Sequence, residues 1–106
     1  EILVMLWNMP RFSNQPQMLH RLTSTRAFEN RMYAVSCNRI GENSGMQFFG
    51  HSAIADPLGE LIASAEEEGT IIYAELERSM LLAERAQMPV FRDRRPDLYG
   101  ELTKPL

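Results

Sequence analysis

The only cysteine in the chain, Cys37, is the first candidate for chemistry because a thiol can act as a nucleophile. A nucleophilic thiolate needs a general base beside it and a positive group that stabilises its charge. Cys37 instead ends the apolar stretch that begins at Tyr33, and small buried cysteines are common in such stretches. The sequence therefore predicts a buried structural thiol and assigns no catalytic residue within the chain.

The two histidines, His20 and His51, are the next candidates. Zinc sites typically contain closely spaced ligands, such as the paired histidines of HExxH, and neither histidine has such a partner. The sequence predicts no metal and no other cofactor. His51 stands in Gly50-His51-Ser52, where we expect its ring to bond to backbone atoms in a packed site.

Charged clusters offer further candidates for acid–base chemistry or binding. Arg26 and Glu29 are spaced to pair on one face of a helix, which favours a structural role for both. The acidic triplet at residues 66–68 is interpreted as a solvated turn. Residues 92–97 mix three arginines with two aspartates, a pattern that favours a protein–protein docking tail over the unopposed positive charge of a nucleic-acid site.

Composition restricts the partners and the compartment. A net charge of −3 and a pI near 5.4 argue against a nucleic-acid partner. The longest apolar run, Ile2 to Trp7, is far shorter than the roughly 20 residues of a membrane helix, so no membrane association is expected. The single cysteine and the lack of a signal-peptide pattern predict a cytoplasmic protein.

Hydrophobic patterns predict an α/β (α+β layered) fold in one domain at most. The uninterrupted run at residues 2–7 is typical of a strand buried on both faces. A helix is expected from Pro16 to about Asn30, with an apolar stripe of Met18, Leu19, Leu22, Thr25 and Ala27. The remaining predictions are a strand at 32–37, a loop at 40–46, an extended segment at 47–55, a turn at 56–59, strands at 61–65 and 70–76, a helix at 77–87 and an irregular tail at 88–106. The face of that helix is expected to contain Leu76, Met80 and Ala83.

Several motifs in fixed order resemble the carbon–nitrogen hydrolase (nitrilase) superfamily. They are RAFEN at 26–30, YAV at 33–35, NR at 38–39, FGHS at 49–52, IADPLGE at 54–60 and RRPDLY at 94–99. The resemblance extends over nearly the whole chain, and the ordered series is more specific than any single motif. It implies that residues 1–106 are the C-terminal portion of an αββα sandwich domain.

The resemblance also implies a chemistry. Members of this superfamily use a Glu–Lys–Cys triad, in which Glu is the general base, Lys stabilises the tetrahedral intermediate and Cys is the nucleophile. All three precede the strand that resembles residues 2–7, and Cys37 does not match the nucleophile motif. We therefore expect residues 1–106 alone to be inactive, as a part of a parent enzyme that hydrolyses a non-peptide C–N bond through a thioester.

Two branches of the superfamily fit the sequence. Trp7-Asn8-Met9-Pro10 resembles the YNTP motif of N-carbamoyl-amino-acid amidohydrolases, whereas residues 88–99 resemble omega-amidases and related amidases equally well. The implied substrate is a small amide or an N-carbamoyl amino acid. By position, Trp7, Asn8 and Asn38 are expected to border the substrate pocket.

Two other functions remain open from the sequence. The chain could be a non-catalytic assembly module, because superfamily members form homo-oligomers through helices and tails that flank the sheet. It could also be an α/β piece with no function of its own. A sheet covered on only one face would expose apolar surface and favour association.

Overall fold

The computed structural model describes residues 1–11 and 17–104, with a mixed sheet at the centre. The elements in chain order are β1 (Ile2–Trp7), α1 (Met18–Asn30), β2 (Tyr33–Asn38), β3 (Ile40–Asn43), β4 (Met46–Phe49), β5 (Ala53–Ala55), β6 (Leu61–Ser64) and α2 (Arg78–Gln87). Two 3-10 turns, Pro96–Leu98 and Gly100–Thr103, follow α2. This mixture of helices and sheet confirms the predicted fold class.

The main sheet has the strand order β1-β2-β5-β6. β1 and β2 are parallel, with their pairing running from Ile2↔Tyr33 to Trp7↔Asn38. β5 pairs antiparallel with β2 on one side and with β6 on the other. Parallel neighbours need a crossover connection, which here contains α1, and the antiparallel β5–β6 pair needs only a tight turn.

Helix α1 covers one face of this sheet. Small side chains allow the close approach, because Ala27 of α1 packs against Ala34 and Ala55, with Leu3 and Met5 beside them. The predicted apolar stripe is partly wrong, since Thr25 is exposed and Thr23 is buried. The Thr23 hydroxyl is satisfied there by hydrogen bonds to the Leu19 carbonyl oxygen (2.8 Å) and the Ser36 hydroxyl (2.7 Å).

The opposite face of β1 is open, so the predicted burial on both faces is wrong for the described chain. Val4 and Leu6 are 62% and 81% exposed, while Leu3 and Met5 on the α1 side are partly buried. Cys37 pairs in register with Leu6 and is exposed. The prediction of a buried thiol is therefore wrong as well, because burial depends on the elements above the strand and not on the strand's own composition.

Helix α1 ends in a turn that requires an unusual backbone conformation. The Arg31 N–H bonds to the Phe28 carbonyl and the Met32 N–H to the Ala27 carbonyl, the pattern of a Schellman motif. Arg31 is left-handed, with φ of 46°, where glycine is usual. The predicted helix start at Pro16 lies outside the described residues, and the helix is observed from Met18.

The region between β2 and β5 differs most from the prediction. Residues 40–46 are not a loop but form most of the β3–β4 hairpin, whose turn residues Ser44 and Gly45 have φ of 51° and 78°. Two consecutive positive φ values are typical of the hairpin turn that matches the twist of its strands. The predicted continuous segment at 47–55 is interrupted at Gly50 and His51, which have φ of 67° and 59°.

The turn predicted at residues 56–59 is confirmed. Its Gly59 N–H donates to the Asp56 carbonyl oxygen at 2.9 Å. Asp56 Oδ1 accepts from the Leu58 and Glu60 N–H groups at 2.9 and 3.0 Å. One carboxylate therefore organises the connection between β5 and β6.

The predicted strand at 70–76 is wrong as an assignment. This segment forms no strand with the described part of the chain, although its exposure alternates as in a strand and Tyr73 is 81% exposed. In α2 the buried side chain is Leu81, while Ala83, predicted to face the core, is exposed. Neither helix of the described chain has the length and apolar character that a bilayer crossing requires.

Candidate pocket border at the strand ends

The carboxyl ends of β1 and β2 bring the three predicted site residues together. Trp7 and Asn38 are register partners at the last position of the two parallel strands, and Asn8 follows Trp7 directly. Ligands of α/β sheets bind outside the carboxyl ends of the strands. Asn8 is exposed and Trp7 half-buried, so both offer surface at this edge.

Asn38 lies differently from its two neighbours. It is 7% exposed, and its carboxamide is bonded to backbone atoms of two loops. Its Oδ1 accepts from the Met9 N–H at 2.9 Å, and its Nδ2 donates to the carbonyl oxygens of Met9 at 3.3 Å and Gly50 at 3.1 Å. Its own backbone N–H donates to the Ser52 hydroxyl at 3.1 Å.

The loop after β1 is fixed from a second side by the β3–β4 hairpin. Pro10 forms an isolated bridge with Phe48, and the Arg11 N–H donates to the Gln47 carbonyl oxygen at 2.7 Å. The Arg11 guanidinium also pairs with the Glu67 carboxylate. Residues 8–11 are therefore positioned by contacts with β2 and β4, which the motif at 7–10 does not reveal by itself.

Two buried histidines stack beside Gly50, which His51 follows directly in the chain. The rings of His20 and His51 stack at 5.0 Å between centroids. His51 Nδ1 lies 3.0 Å from the Phe49 carbonyl oxygen, and His20 Nε2 lies 3.3 Å from that of Ala65. The prediction that His51 bonds to backbone atoms in a packed site is confirmed.

His51 also contacts Glu66, which the sequence placed on a purely solvated turn. Its Nε2 lies 3.3 Å from Glu66 Oε2. A carbonyl oxygen can only accept, so the Phe49 contact assigns the first ring proton to Nδ1. When the ring carries its second proton, Nε2 donates to the carboxylate. The described residues contain no group of three or more metal-ligating side chains that could hold an ion.

Two of the remaining charged clusters form local ion pairs, which the sequence predicts for Arg26 and Glu29. Arg26 pairs with Glu29 on the surface of α1. In the tail, Arg95 Nη2 lies 2.6 Å from Asp97 Oδ2, and this guanidinium lowers the pKa of the Asp97 carboxyl. Because Arg92 likewise pairs with Asp93 at 3.0 Å, two of the three arginines at residues 92–97 are balanced by neighbouring carboxylates.

A groove of about 370 Å³ lies at the opposite end of the parallel strands. Ile2 and Tyr33 line it together with Leu76, Leu81 and Leu82. These residues belong to the amino ends of β1 and β2, the segment before α2, and α2 itself. Glu1 and Arg78 add charged groups to its lining. The groove is separate from the edge that carries Trp7 and Asn8.

The sequence is similar to a family of known proteins. The model of the carbon–nitrogen hydrolase family matches residues 1–85. The chain is 37% identical over 93 residues to the 2-oxoglutaramate amidase of Bacillus subtilis, which covers 88% of this chain and 34% of that protein. It is 37% identical over 86 residues to the deaminated glutathione amidase of Bos taurus, covering 80% and 26%.

The fold shows the same relationship. A carbon–nitrogen hydrolase from Helicobacter pylori G27 superposes with a TM-score of 0.81 at 28% identity, covering 97% of this chain and 41% of that one. The chain thus spans between about a quarter and a third of the length of these two curated relatives.

Proposed function

Because this chain belongs to the carbon–nitrogen hydrolase family, we propose that the protein of which it forms part hydrolyses a small, non-peptide amide. The family match over residues 1–85 carries this proposal. The two relatives described above are both named as amidases, which supports a carboxamide substrate over other C–N bonds. An N-carbamoyl amino acid remains the alternative substrate, on the resemblance of residues 7–10 to YNTP.

The proposed reaction is cysteine-dependent and proceeds through a thioester. A cysteine thiolate attacks the amide carbon, and a lysine ammonium stabilises the resulting oxyanion. The C–N bond breaks as a glutamic acid protonates the leaving amine, and the resulting carboxylate then activates a water molecule that hydrolyses the thioester. We assign the Glu, Lys and Cys of this triad to sequence preceding Glu1, so residues 1–106 alone are proposed to be inactive.

Within this chain, we assign Trp7, Asn8 and Asn38 to the border of the substrate pocket. Their meeting at the carboxyl ends of two parallel strands supports the assignment, since this is where α/β sheets bind ligands. Trp7 offers an apolar ring, and the exposed Asn8 carboxamide offers a donor and an acceptor for an amide group.

Residues 1–106 are proposed to complete a larger αββα domain, with residues 88–106 as its tail. The open apolar face of β1 and the exposed side chains of Ile71 and Tyr73 support this proposal. Such surfaces are usually covered in a folded domain. Homo-oligomerisation and a cytoplasmic location complete the proposal.

The experiment is to express the gene product including any coding sequence before Glu1 and to measure ammonia release. The substrates are omega-amides of small dicarboxylic acids and N-carbamoyl amino acids. We expect turnover of the amides and none by residues 1–106 alone. Upstream sequence without Glu, Lys and Cys motifs, or no turnover of either substrate class, would refute the enzymatic proposal.

Cys37 provides a matched control for the nucleophile assignment. Cys37→Ser should leave kcat within about twofold, because the change removes no group of the proposed triad and replaces the thiol by a hydroxyl of similar size. The same change at the upstream cysteine should abolish turnover. Loss of activity in a folded Cys37→Ser protein would contradict the assignment.

A non-catalytic assembly module is the second candidate function. The exposed apolar side chains of the tail, Phe91, Leu98 and Leu102, favour it because such residues are frequent in interfaces. Size-exclusion chromatography of residues 1–106 distinguishes the two. A soluble oligomer that unfolds cooperatively supports the module, whereas aggregation supports a part that requires the rest of its domain.

A further inference from the structure

We propose that Asn38 is a positioning residue, which fixes the loop carrying Asn8 and acts on the substrate through that loop. Its effect on turnover rests on the proposed function. Its effect on the loop does not, and can be tested independently.

The hydrogen-bonding capacity of Asn38 is the first argument. A carboxamide has two N–H donors and one acceptor oxygen. Nδ2 makes two contacts, to the carbonyl oxygens of Met9 and Gly50, and Oδ1 accepts from the Met9 N–H. Both donors are engaged and the residue is 7% exposed, so Asn38 has no free donor to offer a substrate.

The second argument is that the Asn38 side chain bonds to both backbone polar groups of Met9. It bonds to the N–H and the carbonyl oxygen of the same residue, as a neighbouring strand would. Met9 directly follows Asn8 in the chain. The backbone of Asn8 is therefore held between β1 and the Asn38 carboxamide, although the Asn8 side chain itself is exposed.

The third argument is that the other anchor, Gly50, cannot move easily. Its N–H donates to the Arg39 carbonyl oxygen at 3.0 Å. Its φ is 67°, and a Cβ at this position would lie 2.7 Å from the Glu66 carbonyl oxygen. The backbone at Gly50 is thus packed closely against Glu66. The Asn38 carboxamide bonds to this fixed residue and to Met9, and so links Gly50 to the loop after β1.

The consequence for catalysis is one of geometry. Displacement of a substrate-positioning group by about 1 Å can lower the rate by about 100-fold. Loss of the Asn38 bonds should therefore act on turnover in the same way as loss of Asn8, and the two losses should not add.

The first test measures amide hydrogen exchange at Met9 in the gene product carrying this chain, for Asn38→Ala and Asn38→Asp. Asn38→Asp keeps the shape and the acceptor but places a carboxylate against two carbonyl oxygens. Expressed relative to the amides of β2, exchange at Met9 should rise about tenfold or more in Asn38→Ala, which removes the acceptor of the Met9 N–H, as expected for losing a buried hydrogen bond. The rise should be smaller in Asn38→Asp, which keeps that acceptor but replaces the two donated bonds by repulsion from the carbonyl oxygens. Referring exchange to β2 cancels any global loss of stability.

Asn43→Asp is the matched control, because Asn43 is an exposed asparagine in the β3–β4 hairpin. It should leave the exchange ratio unchanged. An unchanged ratio in both Asn38 variants would overturn the proposal, and so would an equal rise in the Asn43 control.

The second test is a double-mutant cycle on turnover with Asn38→Ala and Asn8→Ala. If Asn38 acts through the loop, Asn38→Ala should lower kcat by about tenfold or more in the native background and by less than about twofold when Asn8 is already alanine. Additive losses would overturn the proposal. A gene product without amidase activity would refute the proposed function, and the exchange ratio at Met9 would then decide the role of Asn38.

Discussion

Arg31 offers the sharpest test of how the end of α1 is held. Its side chain is buried and points into the contact with α2, where Nη1 lies 3.3 Å from Glu84 Oε2 and Nη2 lies 3.1 Å from Met88 Sδ. The guanidinium carbon also lies 4.2 Å from the centre of the Phe28 ring. Arg31→Ala removes all three contacts at once.

The expected loss of stability follows from burial of the ion pair. The side chains of Arg31 and Glu84 are only 5% and 15% exposed, and removing one partner of such a pair costs about 3–5 kcal/mol because the other charge stays unpaired. Arg31→Gly loses the same contacts but relieves the left-handed backbone. It should therefore cost about 1 kcal/mol less than Arg31→Ala.

Urea unfolding followed by far-UV circular dichroism at pH 7 measures both variants. Arg26→Ala is the control, since its pair with Glu29 is about half exposed and should contribute less than about 1 kcal/mol. A loss below about 1 kcal/mol for Arg31→Ala would refute the reasoning on burial. Equal losses for the alanine and glycine variants would refute the reasoning on backbone conformation.

Three further predictions, the first with a control substitution, test other parts of the fold. Gly50→Ala should destabilise the protein by at least about 2 kcal/mol in urea unfolding, because the added Cβ would lie 2.7 Å from a backbone oxygen. Its control, Gly45→Ala, has φ of 78° and nothing within 4 Å of the added Cβ, so it should cost only about 1 kcal/mol. Equal losses of stability would contradict this prediction. Thr23→Val keeps the side-chain shape but loses two buried hydrogen bonds, so it should lower the thermal midpoint, with a cost of about 1–3 kcal/mol; an unchanged midpoint would contradict it. Arg95→Ala should raise the pKa of Asp97, which Arg95 lowers, in a carboxyl NMR titration. Because the folded pKa lies below the unfolded one, the pair stabilises the tail at neutral pH and loses this effect as pH falls through the folded pKa; an unmoved titration curve would disprove the pairing.

Local patterns predicted the elements that depend on local physics. β1 was predicted at its observed bounds, and the turn at 56–59 follows from proline and glycine at fixed positions. The sequence does not predict the β3–β4 hairpin, because glycines such as those at 41 and 45 are equally typical of an irregular loop. The structure shows that Ser44 and Gly45 both adopt positive φ, as the two residues of a tight hairpin turn do.

Properties that depend on distant neighbours could not be predicted in the same way. Residues 70–76 have strong strand propensity, but a strand also needs a hydrogen-bonding partner, and the described chain supplies none. The exposure of Cys37 and Leu6 likewise depends on what covers the sheet. Composition alone does not carry that information.

The candidate site shows the same division. The family resemblance predicts that Asn8 and Asn38 lie together at the pocket border. Parallel pairing of β1 and β2 places both residues at the carboxyl-terminal edge of these strands. The bonds from Asn38 to Met9 and Gly50 join residues 29 and 12 positions apart. No local sequence pattern predicts these bonds, because they form only when β1, β2 and the left-handed backbone at Gly50 come together.

The turn at residues 56–59 has a consequence for the order in which the chain folds. β5 and β6 are joined by a short, carboxylate-organised connection, and a hairpin of this kind forms within about 1–10 μs. Pairing β1 with β2 must first close a crossover of residues 8–32, so its loop-closure entropy is larger and its formation slower. We therefore expect β5 and β6, whose connection places Gly59 against α1, to pair before β1 joins β2. The pocket border would then be among the final features to form.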